Sequence, residues 1–412
     1  RMRYQRKTEW ILGEAVSFAE PVDPEFPSME MLRKFRLANQ RHRRRARKLC
    51  DVLLNTPPSK LEARVLSHRT TYLNRPLVQE LIRRVEDCVL SNPEKAHDLA
   101  SLALLLAEEI GPGRPDIGTP AMCSDMKALC HAHAGNTSRI LCRWAQAEDH
   151  FKTAIRLLWQ GAGDLEIHGD TMRLYGTLLR DLRRLDKALI ALQSAARDYA
   201  AIGASHREGV TLLKIALLYR DQGQHEAALR VHAQACGLLD ETRSRVIVVG
   251  AWINLALIFA DLGQIEQARR VLDNLPSCLE DCPPDSSIHL TRAWAEGIVQ
   301  GAIGSAPEAI EQFHTAIKGY AALQDPYNVA LIHLDLLRVL VRQGQLRQVE
   351  SCVHGLIGAL KEEPIEDEAS HVLQDLLTAA IRRSLVEGLI DRAVEALDQH
   401  PLPGKRSPST TP

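Results

Sequence analysis

The residues with the most chemical capacity in this chain are the cysteines, histidines and arginines, and their spacing decides what each could do. Cys123, Cys130, His131 and His133 fall within eleven residues of one another, and Cys278 and Cys282 form a second close pair. Zinc takes four such ligands from two compact spacings. These spacings match no standard knuckle, and a helix running from 124 would splay His131 and His133 to different faces. Cys130 fits better as a small apolar side chain in a pocket. His225 and His232, seven apart, share a helix face without a third ligand. The phosphate-cradling GxxxxGK[ST], the GxSxG elbow and the HExxH pair are all missing from the sequence. The reading is therefore of a non-enzyme with no metal and no cofactor.

Two sets of cations remain. Arg139, Arg180 and Arg220 recur 41 and 40 residues apart, with Asn136, Arg173, Lys214 and Asn254 nearby. Stacked at about 10 Å, such a ladder could grip acidic side chains or a carboxyl terminus through charge-assisted hydrogen bonds. Asp181, Asp221 and Asp261 could instead neutralise it locally. The second set is "RHRRRARK": Arg41, Arg43, Arg44, Arg45, Arg47 and Lys48 are six cations in eight residues. A helix so charged suits a phosphate backbone or an acidic protein surface. No aromatic residues interleave it, so bases have no stacking platform. It could equally be a solvated face.

The elements that must hold these residues are written in a period. Small anchors Ala147, Ala188, Ala228, Ala268, Ala309, Val349 and Ala393 are separated by 41, 40, 40, 41, 40 and 44 residues. Gly223, Gly263, Gly304 and Gly344 each precede their anchor by five, where a turn needs left-handed backbone. Bulky Phe151, Leu192 and Phe313 follow four after an anchor, and small Ala154, Ala195, Ala235 and Ala316 follow three later. Spacings of three and four share one helix face. A repeat of this length means stacked helical hairpins.

The pattern resembles the tetratricopeptide repeat family in a long-period form. Gly135, Gly176 and Gly297 stand at its glycine position, Tyr219 at its tyrosine and Trp252 at its first aromatic. The usual terminal proline is mostly missing, and the period exceeds the family's 34 by about six residues. The resemblance implies an all-α, right-handed superhelical α-solenoid of about eight hairpins whose first helices line a concave groove. It also implies a groove that accepts a peptide or a partner helix. Ile253, Leu257, Trp294, Ile298, Leu334 and Leu337 would give that groove an apolar strip, with Trp294 as the anchor.

The expected organisation is an irregular arm and basic helix over 1–55, a divergent helical capping repeat over 60–110, the array over 122–400 and a disordered tail over 401–412. Within the first part, 31–54 reads as the helix, ended by Pro57 and Pro58. With 412 residues, 45% hydrophobic, 25% charged and a net charge of −1, the whole chain carries no field that would draw nucleic acid or a membrane. No apolar run of about 18 residues is present to span a bilayer, and Arg1–Glu20 has no signal-peptide core. Nine scattered cysteines read as reduced thiols and a cytoplasmic setting. The expected function is a scaffold or adaptor that clasps a protein or peptide, an acidic one suiting its cations, without membrane contact; nucleic acid could enter only through 41–48. The alternative is the regulatory module of a bacterial signalling or transcription system, binding an effector or holding a DNA-binding or catalytic partner inactive.

Overall fold

The computed structural model describes residues 29–89, 92–111, 118–240, 245–275, 287–323, 325–361, 367–382 and 384–399. The arm before Met29, the Cys278–Cys282 pair and the tail over 401–412 lie outside the described residues. Among those described there are nineteen helices and no strand. They are α1 (Met29–Leu54), α2 (Pro58–Ser67), α3 (Arg69–Tyr72), α4 (Arg75–Cys88) and α5 (Pro93–Glu109). There follow α6 (Pro120–Ile140), α7 (Trp144–Trp159), α8 (Leu165–Asp181), α9 (Leu185–Ala201), α10 (Ser205–Asp221), α11 (His225–Cys236), α12 (Arg245–Asp261) and α13 (Ile265–Asp273). The series ends with α14 (Ser287–Ile303), α15 (Ala306–Ala322), α16 (Pro326–Arg342), α17 (Leu346–Leu360), α18 (Asp367–Ile381) and α19 (Glu387–Gln399).

From α6 onward the helices pair as antiparallel hairpins, and each hairpin packs on the next. The chain is an all-α solenoid. The small anchors make this packing possible: Ala147, Ala188, Ala228, Ala268, Ala309 and Ala393 are fully buried. Opposite them the first helix is shaved to glycine. A Cβ on Gly135 would stand 2.9 Å from Phe151 Cε2, one on Gly176 2.7 Å from Leu192 Cγ, and one on Gly297 2.8 Å from Phe313 Cε1. The large side chain of the second helix thus fills the notch in the first, and all three are wholly shielded from solvent. A complete Leu or Phe burial contributes roughly 1.5–3 kcal/mol.

The hairpin turns share one closure. The amide N–H of Gln224, Gln264 and Gln345 each donates to the carbonyl five residues back, at 2.8, 2.8 and 3.0 Å. This Schellman arrangement requires the preceding residue in the left-handed region. Gly223, Gly263 and Gly344 supply it at φ 71°, 72° and 66°. In the two earliest hairpins the same place is taken by Cys142 and Arg183, both at φ 55°. A side chain there costs on the order of 1–2 kcal/mol.

Before the array, α4 and α5 form a hairpin that shares a core with α1 and α6: Cys50, Leu53, Leu77, Leu81, Leu106 and Cys130 pack in one cluster. Pro57 and Pro58 do more than stop α1. Proline is tolerated in the first turn, and α2 restarts at Pro58. No helix among the described residues is long and apolar enough to cross a membrane.

Candidate functional site: the charged inner face

The first helices α6, α8, α10 and α12 stand side by side, and their C-terminal turns carry the arginine ladder. Arg139 Nη1 donates to Asp181 Oδ2 at 2.5 Å, Arg180 Nε to Asp221 Oδ2 at 2.7 Å and Arg220 Nε to Asp261 Oδ2 at 2.5 Å. Each acid is the last residue of the neighbouring first helix. A carboxylate at a helix C-terminus opposes the macrodipole, whereas an arginine in the last turn complements it. Each cross-helix pair therefore cancels a local penalty and ties one hairpin to the next. The local-neutralisation reading holds for all three ladder arginines, each paired with one acid. Asn136, buried beside it, accepts from Arg139 Nε at 3.1 Å.

Deeper along the same face lies a network gathered from α4, α6, α8, α9 and α10. Asp170 Oδ1 accepts from the Tyr199 hydroxyl at 2.6 Å and Asp170 Oδ2 from Arg207 Nη1 at 2.7 Å. Arg173 donates to Asp170 and to the Tyr199 oxygen, both at 3.3 Å. Asp170 is 6% exposed, and burial alone would raise its pKa; Arg173, Arg207 and the Tyr199 hydroxyl outweigh that and hold it below the usual carboxylate range. Burial pushes the Tyr199 hydroxyl up, so it remains a donor. His133 sits beside the network, 2% exposed, with Nε2 unbonded and 4.0 Å from Glu86 Oε1. Burial depresses its pKa to about 4. Glu86, facing the same space, is raised by burial and by Asp170.

The array curls far enough for this face to meet a second wall. The Arg183 guanidinium lies 5.8 Å from the Tyr327 ring centroid at the start of α16. Asp181 also lies within electrostatic reach of Asp325, and Arg220 of Asp335. This face thus has the cations of α6, α8 and α10 on one side and the start of α16 across from them.

The remaining positions are placed as follows. Arg173 belongs to the Asp170 network, Lys214 and Asn254 are half-buried on α10 and α12, and Trp294 is 9% exposed. The Trp294 indole N–H donates to Asp335 Oδ2 at 2.8 Å, and its ring meets Tyr320 edge-on at 6.5 Å. The apolar strip is not an open surface: Ile253, Leu257, Leu334 and Leu337 are at most 2% exposed. Their three-and-four spacing puts them between neighbouring helices, where burial stabilises the stack, rather than toward the groove. Arg41, Arg43, Arg44, Arg45, Arg47 and Lys48 are exposed on α1, which packs through Ala46, Cys50 and Leu53.

The cysteine–histidine cluster does not converge. Cys123 and Cys130 are in the core, and burial raises the Cys130 thiol beyond ordinary titration. His131 Nδ1 lies 3.1 Å from His150 Nδ1, while His133 points elsewhere. Among the described residues no group of three or more metal-ligating side chains comes together. His232 is buried with Nε2 on the Ala251 carbonyl at 2.9 Å, and His225 lies apart from it, 3.8 Å from Asp261. Trp252, 37% exposed, borders a cavity of about 250 Å³ between α11 and α12 with His232 and Cys236.

Fold and groove together define a helical-hairpin solenoid with a charged inner face. Solved structures similar in fold to this chain include the following three. One is a Rap protein complexed with competence and sporulation factor, at 13% identity and a TM-score of 0.52, matching 87% of this chain and 99% of that one. The apo form of RapI matches 78% of this chain and 97% of its own at 12% identity and a TM-score of 0.49. The Rap conjugation gene regulator of plasmid pLS20 with the Phr* peptide covers the same shares at 13% and 0.46. At such identities the likeness is one of fold. No protein-family model and no curated protein matches the chain.

Proposed function

We propose that the chain is a non-enzymatic regulator or adaptor of the tetratricopeptide type whose groove receives an extended peptide with acidic character. The observation that carries this reading is the run of guanidinium groups on α6, α8 and α10, each partly accessible on the same face of the array. Arg139, Arg180 and Arg220 keep 17%, 32% and 19% of their side-chain exposure. A guanidinium paired through one edge still offers further N–H donors to a ligand carboxylate or peptide carbonyl. The Rap protein solved with competence and sporulation factor has a similar fold over most of the chain, which supports a bound ligand in a solenoid of this kind. In this reading 60–110 is the capping repeat, 122–400 is the array, and the cations of the basic helix within 1–55 face an acidic partner protein in a cytoplasmic setting.

Selection of peptides from a random-sequence library tests the reading. The intact chain should enrich acidic sequences, and replacing Arg139, Arg180 and Arg220 together by Gln should weaken the best of them by at least ~10-fold, the equivalent of about 1.4 kcal/mol. Gln keeps a donor and adds no charge repulsion with Asp181, Asp221 and Asp261. Equal affinity for the triple variant, with its helicity intact, would remove the groove's arginines from the account.

A further inference from the structure

The second helices of the hairpins can be compared at the position eleven residues past their anchors. Ala188 leads to Tyr199 on α9 and Ala309 to Tyr320 on α15. Both rings are buried, and their hydroxyls are bonded, Tyr199 to Asp170 at 2.6 Å and Tyr320 to Thr291 at 2.7 Å. On α7 and α17 the position holds Leu158 and Leu360, still on the helix. From Ala228 it falls on Leu239, outside any helix. α9 and α15 run for 17 residues, whereas α11 stops after 12, at Cys236, and Leu239 is only half-buried. Leu239 lines the cavity of about 250 Å³ between α11 and α12. The shortened helix thus leaves a space where two other hairpins carry a phenol ring.

The cavity wall is mostly apolar, with Val248, Trp252 and Leu255 of α12 facing Leu239, and its polar groups are His232 and Cys236. His232 is 1% exposed. Its Nε2 lies 2.9 Å from the Ala251 carbonyl, which can only accept, so Nε2 carries the proton and Nδ1 the lone pair. Burial lowers the pKa of this ring and keeps it neutral. Nδ1 is 3.6 Å from the Cys236 thiol, a weak donor. A buried acceptor is therefore presented to an apolar cavity with only a weakly donating partner there.

We propose that this cavity binds a small aromatic molecule of the phenol class, its ring packed on Val248, Trp252 and Leu255 and its hydroxyl donating to His232 Nδ1. The size suits such a ligand, since an apolar cavity on the order of 150 Å³ takes benzene and this one, at about 250 Å³, takes a substituted ring. An O–H is a stronger donor than an S–H, so the ligand displaces Cys236 from Nδ1. A carboxylate or phosphate is disfavoured, because a neutral ring and apolar walls offer it no compensating charge. The site shares no residue with the arginine ladder and stands whether or not a peptide binds there.

p-Cresol, the tyrosine side chain as a free molecule, is the probe, and toluene, nearly the same shape without the hydroxyl, is its control. The readout is alkylation of exposed Cys236 by N-ethylmaleimide in the intact protein, followed by peptide mass spectrometry, with exposed Cys142 as internal reference. Only unoccupied protein reacts at Cys236, so p-cresol at about four times its Kd should slow it ~5-fold and leave Cys142 within ~2-fold. Half-protection should need at least ~3-fold more toluene than p-cresol, the low end of what one hydrogen bond contributes. Leu255→Trp, which fills the cavity, should abolish the protection, with helicity checked by circular dichroism; the comparison on the unaltered chain decides the matter if that variant does not fold. No slowing of Cys236 at any soluble concentration, equal slowing of both cysteines, or equal half-protection by toluene and p-cresol would each overturn the proposal, the last by removing the His232 hydrogen bond from it.

Discussion

The first three hairpins, α6 to α11, and the three that follow, α12 to α17, share one skeleton and differ in what they place on their first helices. Both bury an alanine-type anchor against a notch or small residue, and both close their turns through a carbonyl five residues back. In the first group the inner positions are Asn136, Arg139, Arg173, Arg180, Lys214 and Arg220, and Asp170 and the terminal aspartates pair with the arginines among them. In the second, Trp294 hands its N–H to Asp335, and Ile332, Leu334 and Leu337 are sealed in core. The repeat thus specifies where helices cross, while the residues between the crossings are free to differ, with an arginine ladder in one half and Asp335 held by Trp294 and Arg338 in the other.

The shared skeleton should break equally in both halves. Phe151→Ala and Phe313→Ala should each cost about 3–5 kcal/mol in urea unfolding, the usual loss for emptying a filled aromatic site. A large difference between them would deny that the repeats are equivalent in packing. The network belongs to the first half alone. Asp170→Asn leaves Arg173 and Arg207 without their shared carboxylate and should cost about 3 kcal/mol at neutral pH. Asp170 titrates below its unfolded value, so this contribution is complete above the unfolded pKa and fades as pH falls through the folded one.

His133 adds a pH effect with a defined sign. Its folded pKa of about 4 lies below the ordinary 6.5, so the unfolded chain binds the extra proton first. Stability should fall as pH drops from 6.5 toward 4, by up to ~3 kcal/mol from this residue. His133→Met should flatten that part of the profile measured by urea midpoints from pH 7 to 4, and an unchanged slope would contradict its burial as a neutral ring. In the second half Trp294→Phe keeps most of the packing and strips Asp335 of one donor, for a loss of about 1–1.5 kcal/mol. The smallest stability change is expected at the seam. Arg183→Gly relieves left-handed strain of about 1 kcal/mol but removes the cation above Tyr327 and the partner of Asp221 at 3.9 Å. Its clearest effect should be a larger radius of gyration by X-ray scattering, as the two walls separate; an unchanged radius would show that the contact does not hold the groove closed.

The skeleton was readable because it is local. Gly176 and Leu192, or Gly297 and Phe313, sit at fixed offsets in one hairpin, and their contact follows from helix geometry. The ladder was readable as residue types, but whether Asp181 or a ligand meets Arg139 depends on how adjacent first helices align. The Asp170 network was not readable, since Glu86, His133, Asp170, Tyr199 and Arg207 come from five helices at positions that are not equivalent in the repeat. One signal lay in plain view: a carboxylate at Asp170 inside a helix face otherwise occupied by Ile167, Leu174 and Leu178. Arg183 offered another, standing where later repeats carry Gly223, Gly263, Gly304 and Gly344. The apolar strip misled because a three-and-four pattern gives a face without saying whether solvent or another helix covers it.

Hydrogen–deuterium exchange of the intact chain, with and without the best peptide from the library selection, bears most directly on the groove. Peptide-induced protection should concentrate on α6, α8 and α10, with a weaker effect at the start of α16 across from them. Protection confined to the outer helices α7, α9 and α11, or to α1, would contradict it.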